Sequence, residues 1–561
     1  MRHFVAQSIM QDGVQNLLIL DWLHQRQETL DSAFVCGILT TIIHWDGSMK
    51  SFFQNLWADS ANRLLLGLGL TKLIIHLLTS STYGIFRDEF YYIASSKHLA
   101  WGYVDFPPFI AVLTAFIRAT LGESLLVLHL FPALAGAALV VLTGLIARQL
   151  GADRFGQGLA ALATLIAPQF LGANALLTMD SFDTLMWSVA AYILILIFKE
   201  DRPKLWLAFG LAAGISLTMK VSMLYFGLAM AIGLLLTKQR KHFRSPWLYL
   251  GGLIAIAFLA PYIIWNATHG WPTAEFFQNY GNKINQVSPL GFVLQQILIM
   301  HPVTLPLWIA GLAWLFSKKG ETYRPLGWIY IVLLVIFMVQ NAKNYFLAPI
   351  YPVLFAAGVV GVEQAVFAGR LKGLKSNSYV RSLILFGLLT APLAIPMLPL
   401  QAHLAYVRLM GGTNVKSEKY DTGVFPQNFA DRFGWEELAE KMSRTYQALP
   451  ATDQVKACIF TGNYGEAAAL EFYREKYGLP PIISGHNNYY LWGPQNCTGE
   501  VVIFFNAATL QELQPVFNTV EQVGVFTCQY CMPFENNVPI LLAYGIKTPI
   551  KQAWPGVKFF Q

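Results

Sequence analysis

The sequence predicts a polytopic α-helical membrane protein followed by an α/β domain outside the membrane. Three observations carry this expectation. Only 13% of the 561 residues are charged and the mean hydropathy is +0.46, whereas ordinary soluble domains carry ~25% charged residues. Hydrophobic residues, 55% of the total, gather in long runs over the first 400 positions. The character then changes: residues 401–561 hold 12 Lys/Arg and 14 Asp/Glu, leaving 27 and 18 for residues 1–400. This composition excludes a disordered, collagenous or disulfide-dense chain. The basic excess sits between apolar runs, not as a stripe on a soluble domain, so nucleic acid is not an expected partner.

Residues 1–62 read as an N-terminal extension. They show no basic n-region with a small-residue cleavage site, so no signal peptide is expected, and the apolar patch Phe34–Ile43 is too short to span. Met49-Lys50 would make a natural start, which leaves residues 1–48 as an over-extended start or a small cytoplasmic extension.

Residues 63–400 form the transmembrane domain. A spanning helix needs ~20 mostly apolar residues. About eleven candidates follow, near 63–81, 125–147, 157–174, 181–198, 204–219, 221–237, 247–266, 291–316, 326–340, 345–363 and 382–400. A single helix over 204–237 would reach about 50 Å at ~1.5 Å per residue, too long for a ~30 Å core. Its one charge, Lys220, therefore marks a tight hairpin turn. Residues 107–121 open on Pro107-Pro108 and contain Arg118, so they read as an interfacial helix in a loop over 82–124.

Alternate loops separate by charge. One set holds 16 Lys/Arg, from Arg148 and Arg154 through Arg381; the other holds only Arg87, Lys97, Arg118, Lys220, Lys283 and Lys343. The positive-inside rule makes the first set cytoplasmic. Residues 82–124, 267–290 and 401–561 are then external.

In the external domain, 431–447 reads as an amphipathic helix with Asp431 as its N-cap. Val455–Phe460 reads as a strand, Gly465–Tyr477 as a helix, and Val501–Phe505 and Val538–Tyr544 as further strands. The alternation suggests a small α/β layer. Four of the five cysteines, Cys458, Cys497, Cys528 and Cys531, lie here, where disulfides are permitted. Four cysteines allow three pairings. The CxxC at Cys528–Cys531 lacks the second CxxC of a zinc ribbon, so structural disulfides are preferred over free thiols, and those over a redox or metal site.

Polar groups beside an apolar core are costly and commonly functional, and here they collect on the external side. Asp88 and Glu89 directly follow the first span; each could serve as base or loop organiser, or the pair could simply favour a helix N-terminus. Arg87 precedes them and Asp105 precedes Pro107-Pro108 by two. Asp180 and Asp183 share a helix face by their spacing, for function or for capping. Lys220 is either a phosphate clamp or a snorkelling lysine. His269 opens another external loop, and Lys343 with Tyr345 brings a cation and a hydroxyl to the last external turn. Together these groups suit a reaction between a lipid-borne anion and an external acceptor, with a carboxylate base and cations on a leaving phosphate.

The stretch Tyr83–Pro108 resembles the first external loop of polyprenyl-phosphate-dependent GT-C glycosyltransferases. The resemblance is to family 39, the bacterial relatives of protein O-mannosyltransferases and of lipid A aminoarabinose transferases. Asp88-Glu89 matches that family's Asp-Glu motif, and Asp105-Phe106-Pro107-Pro108 is similar to its acidic-x-Pro-Pro motif. Asp180/Asp183, Thr218-Met219-Lys220, Lys343-Asn344-Tyr345 and Pro349 through Pro352 resemble later family positions. Asn463–Ala467 and Ser484–Asn488 resemble a bacterial subgroup of unnamed acceptor. Aminoarabinose transferases usually have Lys before the Pro-Pro pair, where this chain has Phe106, so phosphate contact must shift to Arg87, Lys220 or Lys343.

The resemblance implies a GT-C-like fold and inverting transfer of a sugar from a polyprenyl phosphate to a hydroxyl of a lipid, glycan or protein. It implies Asp88 as general base and Glu89 as loop organiser. Lys220, Lys343, Tyr345 and Arg87 would bind donor phosphate. Asp105, His269, Asp180 and Asp183 would position the acceptor or a divalent metal ion, the one cofactor the resemblance leaves open. The other class compatible with the sequence is a lipid or sugar-lipid transporter. Transporters place binding groups near the midplane, often in repeated halves; no repeat is visible here and the charges lie at one edge.

Overall fold

The computed structural model describes residues 59–281, 286–367, 377–411 and 419–561. The expected extension, apart from its last residues, lies outside the described part, as do Lys283, Arg370, Lys372 and Lys375. Residues Ser60–Gln561 form one unit.

The protein is a multi-pass helical membrane protein. Among the described residues, six helices are long and apolar enough to cross a membrane: Ser60–Thr79, Leu125–Leu150, Met179–Glu200, Pro246–Thr268, Glu321–Val339 and Asn344–Ala365. The sequence suggested eleven apolar stretches, and the remaining ones fold as shorter or broken helices. Over 157–174 the chain breaks at Ala167-Pro168 into Arg154–Ile166 and Pro168–Ala173. Over 291–316, Pro289–Ile299 and Pro302–Phe316 bend by 95°, where His301 takes φ +77° ahead of Pro302. The last stretch stops at Thr390, before Pro392. Each break falls at a proline, which cannot donate to the helical ladder and clashes with the preceding turn.

Lys220 does mark a hairpin. Leu205–Met219 ends there in an extended residue, and Met223–Leu235 follows. Residues 107–121 form the short helix Phe109–Thr120. Leu205–Met219 packs on Pro246–Thr268 through Gly210 and Gly251. A Cβ on Gly210 would lie 2.1 Å from the Gly251 carbonyl oxygen, so backbone contact here demands glycine. The rest of Pro246–Thr268 exposes Leu253, Ile256 and Ile264, as a lipid-facing helix does. Tyr351–Phe367 runs through the bundle centre, with Tyr351, Leu354 and Phe355 fully buried.

The C-terminal domain carries a five-stranded sheet of order β2-β1-β3-β5-β4. The strands are β1 Ala457–Thr461, β2 Ile482–Ser484, β3 Val501–Phe505, β4 Phe517–Phe526 and β5 Val538–Ile546. β1 is parallel to β2 and β3; β5 is antiparallel to β3 and β4. Strands β1, β3 and β5 fall where the sequence placed them. β2 is only three residues long, and β4 is an edge strand whose mostly exposed residues carry little apolar signal.

Two expectations in this domain change. Asp431 is not an N-cap: the helix begins at Trp435, after Gly434 at φ +86°, and the Asp431 carboxylate turns to Arg87. The helix expected over 465–477 is split into Tyr464–Phe472 and Arg474–Tyr477. The cysteines pair Cys458–Cys497 and Cys528–Cys531. The first closes 39 residues of chain, a loop for which unfolded-state entropy predicts about 4 kcal/mol of stabilisation.

Candidate active site

The loop after the first helix folds into the short helix Arg87–Ser96, which packs against Tyr464–Phe472 of the C-terminal domain. Phe90, Tyr91, Tyr92 and Phe106 share one apolar core with Leu438, Met442 and Ala467–Leu470. Phe106 accounts for the departure noted at this position. Its ring stacks on Tyr103 at 4.7 Å and meets Tyr91 and Tyr92 edge-on at 5.6 and 5.2 Å. Aromatic packing therefore occupies the place where a lysine would carry charge.

Asp88 lies in the first turn of Arg87–Ser96 and accepts a hydrogen bond from the Tyr464 hydroxyl at 2.9 Å. Asp105 accepts from the Tyr91 hydroxyl at 3.1 Å and from Asn487 Nδ2 at 3.3 Å. Tyr91 is also bonded by the Asn488 side chain, whose Oδ1 takes the Val104 N–H at 2.9 Å. Asp88 and Asp105 are thus each bonded by the C-terminal domain.

Glu89, 0% exposed, faces inward. Its Oε1 accepts from Leu177 N–H at 2.7 Å and meets His129 Nε2 at 2.8 Å; its Oε2 accepts from Phe86 N–H at 2.8 Å. His129 Nδ1 lies 3.0 Å from the Ser80 carbonyl. Burial pushes the Glu89 carboxyl up, but His129, Arg432 and the Leu177 N–H outweigh it and leave it below its ordinary range.

Arg87 is buried and bound to Asp431 at 3.1 Å and to Glu535. Its backbone N–H also donates to the Asp431 carbonyl at 3.0 Å. Its guanidinium joins loop and domain. Gly465 sits directly on it; a Cβ there would lie 2.4 Å from Arg87 Cγ.

A second group gathers at the Lys220 turn. Lys220 Nζ is paired with Asp180 and lies 5.6 Å from the Tyr345 ring centre and 4.8 Å from that of Phe346. Lys343 Nζ lies 5.9 Å from the same Tyr345 ring and 5.2 Å from Tyr280. Two lysines therefore flank one tyrosine. Asp183, on the helix face it shares with Asp180, accepts from Ser222 at 2.7 Å and Ser216 at 3.3 Å and pins the hairpin. Tyr92 is buried in the same apolar core as Phe90, Tyr91 and Phe106. Burial pushes its phenol well up, and the charges of Asp88, Asp105 and Asp180 and the neighbouring Tyr345 add to that.

His269 is turned onto its own helix end, with Nδ1 2.8 Å from the Trp265 carbonyl and its ring 4.5 Å from that of Trp265. Among the described residues no three His, Cys, Asp or Glu side chains converge on a metal position.

Sequence reasoning missed His129, Arg432, Glu535 and the buried Lys72, whose Nζ donates to the Phe170 carbonyl at 3.0 Å. A His or Lys inside an apolar span was the available signal for His129 and Lys72.

Glu466 gives this region a pH dependence. Burial, then Glu535, pushes its carboxyl up to about 8, against hydrogen bonds from Asn506 and from the Gly462 and Asn463 N–H groups. The folded state thus binds a proton that the unfolded state releases near pH 4.5. Stability contributed by this proton declines as pH rises from there to about 8. Thermal unfolding should show wild type losing stability between pH 6 and 8.5 and Glu466→Gln losing less. Equal pH slopes would refute the assignment.

The fold is a helical membrane bundle with an α/β domain packed on a carboxylate-bearing first loop. Two structures of ArnT from Cupriavidus metallidurans share it. The structure bound to undecaprenyl phosphate aligns with TM-score 0.55 and 14% identity, covering 85% of this chain and 97% of that chain. The apo structure aligns with TM-score 0.55 and 14% identity, covering 86% and 97%. The profile of the dolichyl-phosphate-mannose-protein mannosyltransferase family matches residues 105–265. No curated protein matches the sequence significantly.

Proposed function

We propose that this protein is an inverting membrane glycosyltransferase that moves a sugar from a polyprenyl phosphate to a hydroxyl acceptor on the external face of a bacterial plasma membrane. Asp88 takes the proton from the acceptor hydroxyl. The acceptor oxygen attacks the anomeric carbon from the side opposite the phosphate. The bond from that carbon to the phosphate oxygen breaks, and its electron pair leaves on the polyprenyl phosphate. Lys220, Lys343 and Tyr345 stabilise that developing charge. Glu89 keeps the loop in place from below.

The observation that carries this reading is a first loop whose Asp88 carboxylate is held by Tyr464, together with a cluster in which two lysines flank one tyrosine. The fold supports it, because an ArnT structure of the same fold holds undecaprenyl phosphate.

The test uses purified protein in nanodiscs with radiolabelled polyprenyl-phosphate sugars and envelope lipid, glycan or protein acceptors. Wild type should form polyprenyl phosphate and label an acceptor. Lys220→Met combined with Asp180→Asn, which removes both partners of the pair, should raise the donor KM by about 10–100-fold, since a hydrogen bond to a charged group is worth ~1.5–3 kcal/mol. Lipid translocation without formation of polyprenyl phosphate would replace the reading with a transporter.

A further inference from the structure

We infer that the C-terminal domain supplies a working part of the catalytic centre, with Tyr464 as the positioning residue that holds the Asp88 carboxylate. This rests on the proposed transfer reaction and adds to it a contribution from outside the membrane bundle. The hydroxyl of Tyr464 donates to Asp88 Oδ1 at 2.9 Å across 376 positions of sequence.

Tyr464 is itself fixed from four sides. It opens the helix Tyr464–Phe472, whose N-terminus is closed by a reciprocal cap: Asn463 Oδ1 accepts from the Glu466 N–H at 3.0 Å, and Glu466 Oε2 accepts from the Asn463 N–H at 3.3 Å. Its ring stacks on Tyr91 with centres 4.4 Å apart and planes at 27°. Its backbone N–H donates to His486 Nδ1 at 3.3 Å. Gly465, the next residue, lies against Arg87. The His486 contacts agree with one neutral tautomer, since Nδ1 accepts while Nε2–H donates to the Gln561 carbonyl at 2.9 Å.

A rigid donor on one carboxylate oxygen restricts rotation of Asp88 about its side chain. It therefore presents the base in one orientation to the hydroxyl it deprotonates, which is the geometric requirement for proton transfer. The phenol keeps its own proton: burial, followed by Asp88, pushes it well above the ordinary tyrosine range. It acts as a fixed donor and takes no proton during transfer. Asn487 and Asn488 hold Asp105 and Tyr91 from the same side, so both loop carboxylates depend on the domain for their orientation.

Tyr464→Phe removes the hydroxyl and leaves the ring stacked on Tyr91. In the nanodisc assay this variant should keep the wild-type thermal midpoint and donor KM while kcat falls tenfold or more. The acidic limb of its kcat/KM profile should move to higher pH, because the carboxylate loses a hydrogen bond that favours its charged form. Tyr464→Phe added to Asp88→Asn should slow that variant no further. The inference is overturned if Tyr464→Phe keeps wild-type kcat and pH limb. It is also overturned if the loss of kcat comes with a lowered midpoint, or if the two substitutions act additively. A wild type that forms no polyprenyl phosphate overturns the transfer reaction and this inference together.

Discussion

Asp88→Asn is expected to lower kcat for sugar transfer by about 10²–10⁴-fold, the range spanned by general bases, with the thermal midpoint unchanged. The amide has the shape of the carboxylate, and its oxygen can still accept from the Tyr464 hydroxyl that now reaches Asp88 Oδ1. It cannot take a proton from an acceptor hydroxyl. The loss therefore falls on the chemical step and leaves donor binding at Lys220, Lys343 and Tyr345 intact. Single-turnover measurement with labelled donor separates the two, because binding amplitude should persist while the rate collapses. A variant that retains more than about a tenth of the wild-type rate would remove Asp88 from the role of base.

The second large effect is on stability. Glu89→Ala or His129→Ala should each destabilise the protein by about 1–3 kcal/mol, the cost of leaving a buried hydrogen-bonding partner unsatisfied. Glu89 joins four segments through its two oxygens: Phe86 in the loop, His129 in Leu125–Leu150, Leu177 ahead of Met179–Glu200, and, through His129, Ser80 after the first helix. The carboxyl is held below its ordinary range by His129 and the N–H donors. Its contribution is therefore present above pH ~4.5 and is lost as pH falls through the lower folded value. Thermal midpoints taken from pH 7 downward should fall for wild type as this carboxylate protonates. Glu89→Gln should begin lower and fall less. If Glu89→Ala unfolds like wild type at pH 7, the pair does not organise the loop.

These two neighbours show how far local sequence reaches. Adjacent carboxylates on a helix point about 100° apart, from 3.6 residues per turn, so different surroundings for Asp88 and Glu89 were legible. Which one faces inward was not, because that depends on where His129 and Leu177 arrive. The hairpin at Lys220 was legible from helix length alone. The broken helices at Pro168 and Pro302 carried a visible signal, but an apolar count over a window does not weigh a single proline.

The sequence by itself determined the membrane bundle, the C-terminal strands β1, β3 and β5, and the short motifs from which the chemistry is proposed. All of these are local: hydrophobic run length, charge alternation between loops, and residues within a few positions of one another. Only the tertiary structure decided how the motifs meet. Asp431 and Glu535 arrive on Arg87 from the far end of the chain, and Asp431 was a candidate cap until it turned to Arg87. Tyr464 lies 376 positions from Asp88, and Asn487 lies 382 from Asp105. Contacts at that separation leave no periodicity or spacing in the chain. They exist because burying Phe90, Tyr91, Tyr92 and Phe106 requires an apolar partner, and the helices of the C-terminal domain provide it.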